Sequence, residues 1–205
     1  MLTKIHRKEA IQNYSNLPLQ HYNRTEKQYE LHYPVVFSQY ILTLPSKSFK
    51  GHIKLLGKEI ANLATNLGFE NFIFLTDGKT PWLYRDHPFK HAKEGLQYLA
   101  ENKIGGNFNG AIQVNTTQLP TFIMHLGWMV RTNAILPSVY FTDPGQNIIG
   151  NICHYGNLHI STLSPTTDKM FKEIIATSNF VFLKSYSCNI QFSKRGAIKG
   201  RKIIL

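Results

Sequence analysis

Between Gly51 and Leu67 the apolar residues Ile53, Leu56, Ile60, Leu63, Ala64 and Leu67 recur at helical spacing, and Gly68 stands where a helix-ending glycine belongs. This is the strongest helix signal in the chain, and the segments around it have a different period. Val35 to Leu44, bounded by Pro34 and Pro45, and Phe72-Ile73-Phe74-Leu75-Thr76 are short runs of β-branched and aromatic residues that read as strands. Asp77-Gly78 before Trp82-Leu83-Tyr84 is a turn signal and predicts a hairpin, with Pro81 at its entry. A chain of this length that mixes helices with hairpins is expected to form a single α+β domain, with a mixed, mostly antiparallel sheet and about four helices.

The remaining elements follow the same logic. A second helix is expected over residues 88–102, with Phe89, Ala92, Leu96, Leu99 and Ala100 inward. A third follows the strand Ala111–Val114, capped by Thr116 or Thr117 with Pro120 in its first turn, and buries Phe122, Ile123, Leu126, Met129 and Val130. Val139–Phe141 forms a strand. Ile148–Cys153 and Leu158–Ser161 form two more, joined by the turn His154-Tyr155-Gly156-Asn157. Ser164-Pro165 opens a fourth helix with Met170, Phe171, Ile174 and Ile175 inward, and residues 180–183 and 189–192 are late strands. Residues 1–30 are polar and aperiodic apart from a short helix around 8–14, and read as an N-terminal arm or irregular layer. The domain then spans 31–193, and 194–205 is a basic C-terminal tail.

Composition excludes several classes. Hydrophobic residues make up 42% and charged residues 17%, against roughly 25% charged in ordinary soluble domains, so the chain has a core to bury and does not read as disordered. No stretch approaches the roughly 20 apolar residues that span a bilayer, and residues 1–8 carry no secretory apolar run. A cytoplasmic location with no membrane contact is expected, and Cys153 and Cys188 are expected to remain reduced. The net charge of +11 is concentrated at one end: after Glu173 there is no acidic residue, while Lys184, Lys194, Arg195, Lys199, Arg201 and Lys202 follow.

The candidate chemistry is sparse. His87 and His91 have the spacing of two ligands on one helical face, but Pro88 places His87 ahead of the helix and no third ligand stands near, so no metal and no cofactor are expected there. Cys153, His154 and His159 bracket a turn. A thiol beside an imidazole can become a nucleophile, but strand alternation directs Cys153 and His154 to opposite faces, and a structural cysteine is the better reading. Asp77-Gly78-Lys79, with Glu70 upstream, lacks the converging carboxylates of a metal-dependent nuclease. The loop Gly105–Gly110 lacks the lysine and hydroxyl of a phosphate cradle. No catalytic residue is assigned.

Two binding surfaces remain. Trp82, Tyr84, Arg85, Asp86 and His87, with Trp128 and Arg131 on the third helix, have the aromatic and arginine content of a protein interface. Lys194, Arg195, Lys199, Arg201 and Lys202 can contact phosphates, which makes nucleic-acid binding the alternative. The segments Trp82–His87, Trp128–Asn133 and Tyr155–His159 resemble pieces of small bacterial immunity proteins that accompany polymorphic toxins, including contact-dependent inhibition systems. That resemblance implies a non-catalytic protein that binds and neutralises a cognate toxin domain. Immunity proteins opposing basic nucleases are often acidic, whereas a chain of +11 suits an acidic partner face, or a charge-neutral interface in which the tail takes no part.

Overall fold

In a computed structural model of the chain, residues 2–83, 86–132, 136–184 and 188–189 are described. Their elements run β1 (Thr3–Ile5), α1 (Arg7–Asn13), β2 (Leu19–Asn23), β3 (Gln28–His32), β4 (Ser38–Thr43), α2 (Phe49–Asn66), β5 (Asn71–Thr76), α3 (Lys90–Glu101), β6 (Ala111–Asn115), α4 (Leu119–Thr132), β7 (Val139–Thr142), β8 (Ile148–Ile152), β9 (Leu158–Thr162), α5 (Pro165–Ala176) and β10 (Val181–Leu183). Eight strands form one sheet in the order β1-β6-β5-β7-β8-β9-β4-β10, and β2 pairs with β3 apart from it. Every pairing among the described residues is antiparallel. The fold is a single-domain α+β arrangement with five helices where about four were expected.

Alternation along β5 explains the layering. Phe72 and Phe74 face the helices α2 to α5, while Ile73 and Leu75 face the other way, and all four are buried. The reverse face is covered by Ala10 of α1 and by Leu17, which pack with Ile73, Leu75, Tyr140 and Ile149. Residues 1–30 are therefore not a loose arm: β1 extends the sheet on β6, α1 closes the second face, and β2 with most of β3 forms a hairpin.

Helix α2 is specified at both ends. The Ser48 hydroxyl accepts from the Gly51 N–H at 3.2 Å. At the other end Gly68 has φ 74°, and its N–H and that of Phe69 donate to Thr65 and Ala64, the paired bonds of a left-handed helix stop. A Cβ on Gly57 would lie 2.6 Å from the Pro120 carbonyl oxygen, so α2 and α4 approach closely only because that position lacks a side chain. Helix α5 starts as expected, with Ser164 accepting from Thr167 N–H and Pro165 in the first turn.

Other expectations are corrected. Trp82 and Leu83 lie in a turn, not a strand, and β5 pairs with β6 and β7, so there is no hairpin at Asp77-Gly78 among the described residues. The strand expected from Val35 begins at Ser38, which leaves Val35 exposed. Asn115, not Thr116 or Thr117, accepts from the Gln118 N–H at the head of α4. Ala100 and Met170 face solvent. The strand expected at 189–192 and the tail 194–205 fall essentially outside the described residues. No helix among the described residues is long and apolar enough to cross a membrane.

Candidate functional site

The turn between β8 and β9 is held from three sides. Cys153 N–H donates to the Asn157 carbonyl at 3.0 Å, and Gly156 N–H donates to the Cys153 carbonyl at 2.8 Å. Gly156 has φ 86°, a conformation that favours glycine. From α2, the Nε2 of buried His52 lies 2.8 Å from the Gly156 carbonyl, and burial pushes this imidazole's pKa down, so the ring is neutral and donates. From α4, Arg131 donates to the His154 carbonyl at 3.3 Å while its guanidinium lies 4.1 Å from the centre of the Phe49 ring.

This rigid turn presents Cys153 to a partner remote in sequence. The sulfurs of Cys153 and Cys188 are 3.6 Å apart, too far for a disulfide at about 2.05 Å. The Nε2 of His159, on β9, is 3.3 Å from the Cys188 sulfur. Asn157 donates through Nδ2 to that sulfur at 3.5 Å and to the Asn189 carbonyl at 3.0 Å, clamping the segment in place. Cys153, His159 and Cys188 are all half-buried, and their donor atoms lie within 4.8 Å of one another. Hydrogen bonding from Cys153, then from His159 and Asn157, holds the Cys188 thiol well below its ordinary pKa despite burial. The bond to Cys188 and burial push Cys153 up. Of the two, Cys188 is therefore the thiol that gives up its proton more readily. Chemically such a group can ligate a soft cation or exchange thiol for disulfide.

The pairing differs from the one weighed on sequence. His154 is not the partner of Cys153; its ring packs against Tyr155 with centroids 3.9 Å apart. On the face that carries His159 there is a cleft of about 490 Å³ lined by Tyr33, Tyr140, Asn151, Ser161 and Phe182. The Tyr33 and Ser161 hydroxyls are hydrogen-bonded at 3.0 Å, and burial pushes the Tyr140 phenol up to about 12.

The residues expected to meet a partner are scattered. Trp82 is fully buried and donates from its indole to the Gly110 carbonyl at 2.8 Å, which makes it a core residue. Arg131 is buried as well. Tyr84 and Arg85 lie outside the described residues. Asp86 is exposed and accepts from the His87 N–H, and the His87 ring accepts from the Phe89 N–H at 3.1 Å. Trp128 is half-buried under His91, whose ring stacks on it at 4.4 Å and bonds Glu94 at 2.8 Å. Both imidazoles meet the Phe89 ring edge to face, at centroid distances of 6.4 Å for His87 and 5.7 Å for His91, and neither belongs to a converging trio of ligands among the described residues. Asp77 is buried at a turn and accepts from Gln20 at 2.8 Å, and the Gly105–Gly110 loop closes through Phe108 N–H to Gly105.

A surface not foreseen lies on the β2–β3 hairpin. Tyr22 and Tyr29 are cross-strand partners with rings edge to face at 5.2 Å, and they are 50% and 71% exposed. Leu31, Val35 and Phe37 are also exposed. The hairpin's base is tied to the body by the Gln20 N–H, which donates to the Asp77 carbonyl at 2.9 Å.

Compared with known proteins, the chain matches no family model, no curated protein and no solved structure.

Proposed function

We propose that the chain is a non-catalytic interaction protein that binds another protein through the β2–β3 hairpin, and that its partner is a toxin domain which it neutralises in the cytoplasm. The observation that carries the reading is the exposed Tyr22–Tyr29 pair, on a hairpin that belongs to no larger sheet. Isolated exposed apolar residues need no explanation, but Tyr22, Tyr29, Leu31, Val35 and Phe37 fall within one short stretch of chain. Tyrosine supplies contact area at low entropic cost and is enriched where interfaces concentrate their binding energy. Arg24 and Lys27 in the hairpin's loop are offset by Glu26 and Glu30, so the pair sits in a charge-balanced setting in which aromatic contact, not charge, supplies the attraction. The toxin reading is further supported by the sequence resemblance to immunity proteins. Nucleic-acid binding through the basic tail is the alternative, and it is supported by sequence charge alone.

Co-expression with the product of the neighbouring open reading frame, followed by calorimetry on the purified pair, tests the reading. A 1:1 complex is expected, weakened at least about tenfold (about 1.4 kcal/mol) by combined Tyr22→Ser and Tyr29→Ser. Undiminished affinity in that variant removes the hairpin from the interface. Tight binding to mixed-sequence RNA or DNA that weakens steeply with salt and disappears on truncation after Phe192 favours the alternative.

A further inference from the structure

We infer that Cys153, His159 and Cys188 form a zinc site. The inference stands apart from partner binding, since these residues lie on the β8–β9 turn, on β9 and beside Asn189, whereas the hairpin is a separate sheet.

Geometry is the first argument. Zinc bound tetrahedrally at about 2.3 Å to sulfur and about 2.05 Å to nitrogen separates two sulfur ligands by about 3.8 Å, and a sulfur from a nitrogen by about 3.5 Å. The Cys153–Cys188 and His159–Cys188 separations are 3.6 and 3.3 Å, so two edges of the coordination polyhedron exist before any ion arrives. A small lengthening of these two edges brings both sulfurs and the imidazole nitrogen to the distances that zinc requires.

Donor chemistry is the second. Two sulfurs and an imidazole select a soft or borderline cation over calcium or magnesium, which take oxygen ligands. Two thiolates balance the charge of a divalent ion in a half-buried setting. The protons they release go to solvent.

Support around the ligands is the third. Asn157 is fully buried and donates to the Cys188 sulfur, the outer contact that orients a ligand and tunes its basicity. The His52 and Arg131 contacts to the turn fix Cys153 from below. Among the described residues no other trio of potential ligands converges, and three protein ligands leave a fourth position for water or a small donor.

The test is titration of the reduced, metal-free full-length chain with cobalt(II), then zinc. One equivalent of cobalt is expected to give the charge-transfer and ligand-field bands of a tetrahedral thiolate site, and zinc is expected to bleach them. Cys188→Ser abolishes the charge-transfer band or cuts affinity more than about tenfold, with far-ultraviolet circular dichroism unchanged in metal-free buffer. His159→Cys preserves three ligand positions, so it keeps one equivalent of cobalt and gains charge-transfer intensity. That variant guards against reading a misfolded protein as a lost site. Absence of a tetrahedral spectrum in the reduced wild-type chain overturns the inference. So does affinity indifferent to Cys188→Ser, or failure of folded His159→Cys to bind.

Discussion

The Nε2 atom of His52 lies 2.8 Å from the carbonyl oxygen of Gly156, and this bond ties helix α2 to the turn that carries Cys153. Gly156 is held to glycine by its backbone φ of 86°, and a Cβ there would also press on the His52 ring at 3.0 Å and the Phe49 ring at 3.1 Å. The principal core helix and the thiol site are therefore mechanically one unit, and the protonation state of His52 bears on both.

Stability is expected to fall with acid through this contact. Burial holds the His52 pKa below its ordinary value of 6.5, so below that pH the unfolded chain binds a proton that the folded one resists. Stability is thus full above about pH 6.5 and declines toward the folded pKa, by up to about 1.4 kcal/mol per pH unit. Burial pushes His125 and His154 the same way, so their contributions add. Urea unfolding at several pH values from about 7.5 to about 5 measures the slope. His52→Gln, which retains a donor for Gly156, should flatten it, and an identical slope in that variant assigns the effect elsewhere.

Gly57→Ala should destabilise by about 1–3 kcal/mol, because the new methyl meets the Pro120 backbone, which a side-chain rotation cannot relieve. The same change at exposed Gly105, where a Cβ meets nothing within 4 Å, should be close to neutral. Denaturant midpoints for the two variants give the comparison. Equal midpoints contradict the close approach of α2 and α4.

Much of this framework is legible in the residues, and the exceptions have a common cause. Helix α2 declares itself through Ile53, Leu56, Ile60 and Leu63 and through Gly68, because its cap, period and stop all lie within one continuous segment. Helix α5 does so through Ser164-Pro165. Residues 1–30 read as an arm because Ala10 and Leu17 are buried by a distant sheet face and by no local pattern. Trp82 looks like an anchor for a partner until Gly110, 28 residues on, accepts its indole proton. The thiol trio is hidden for the same reason: Cys188 lies 35 residues from Cys153 and 29 from His159, a spacing with no local signature.

Mild oxidation should join those two thiols. A diazene oxidant such as diamide accepts two electrons and two protons as Cys153 and Cys188 form one S–S bond, and their 3.6 Å separation leaves little motion to close. Mass spectrometry should show an intrachain loss of two hydrogens, and the cross-link should raise the denaturant midpoint. Saturating zinc should protect both thiols. Intermolecular dimers in place of the intrachain bond contradict the observed proximity.

Trp82 and Tyr29 should separate stability from binding in opposite directions. Trp82 is fully enclosed, with its ring near Phe122 and its indole on the Gly110 carbonyl. Trp82→Phe removes part of the buried volume and leaves that acceptor without its donor, at a cost of about 2–4 kcal/mol. Where the variant stays folded, its affinity for the partner should equal that of the parent, because the side chain never reaches the surface. Tyr29 is 71% exposed, and its ring meets that of Tyr22 across the hairpin. Tyr29→Ser should shift stability by no more than about 1 kcal/mol, since it removes one exposed cross-strand pair. Its effect should appear in the partner's dissociation rate, where loss of an interface aromatic is usually felt. Thermal unfolding together with surface plasmon resonance on both variants gives the crossed comparison. A large loss of affinity in folded Trp82→Phe with none in Tyr29→Ser would return the interface to the Trp82–His87 segment.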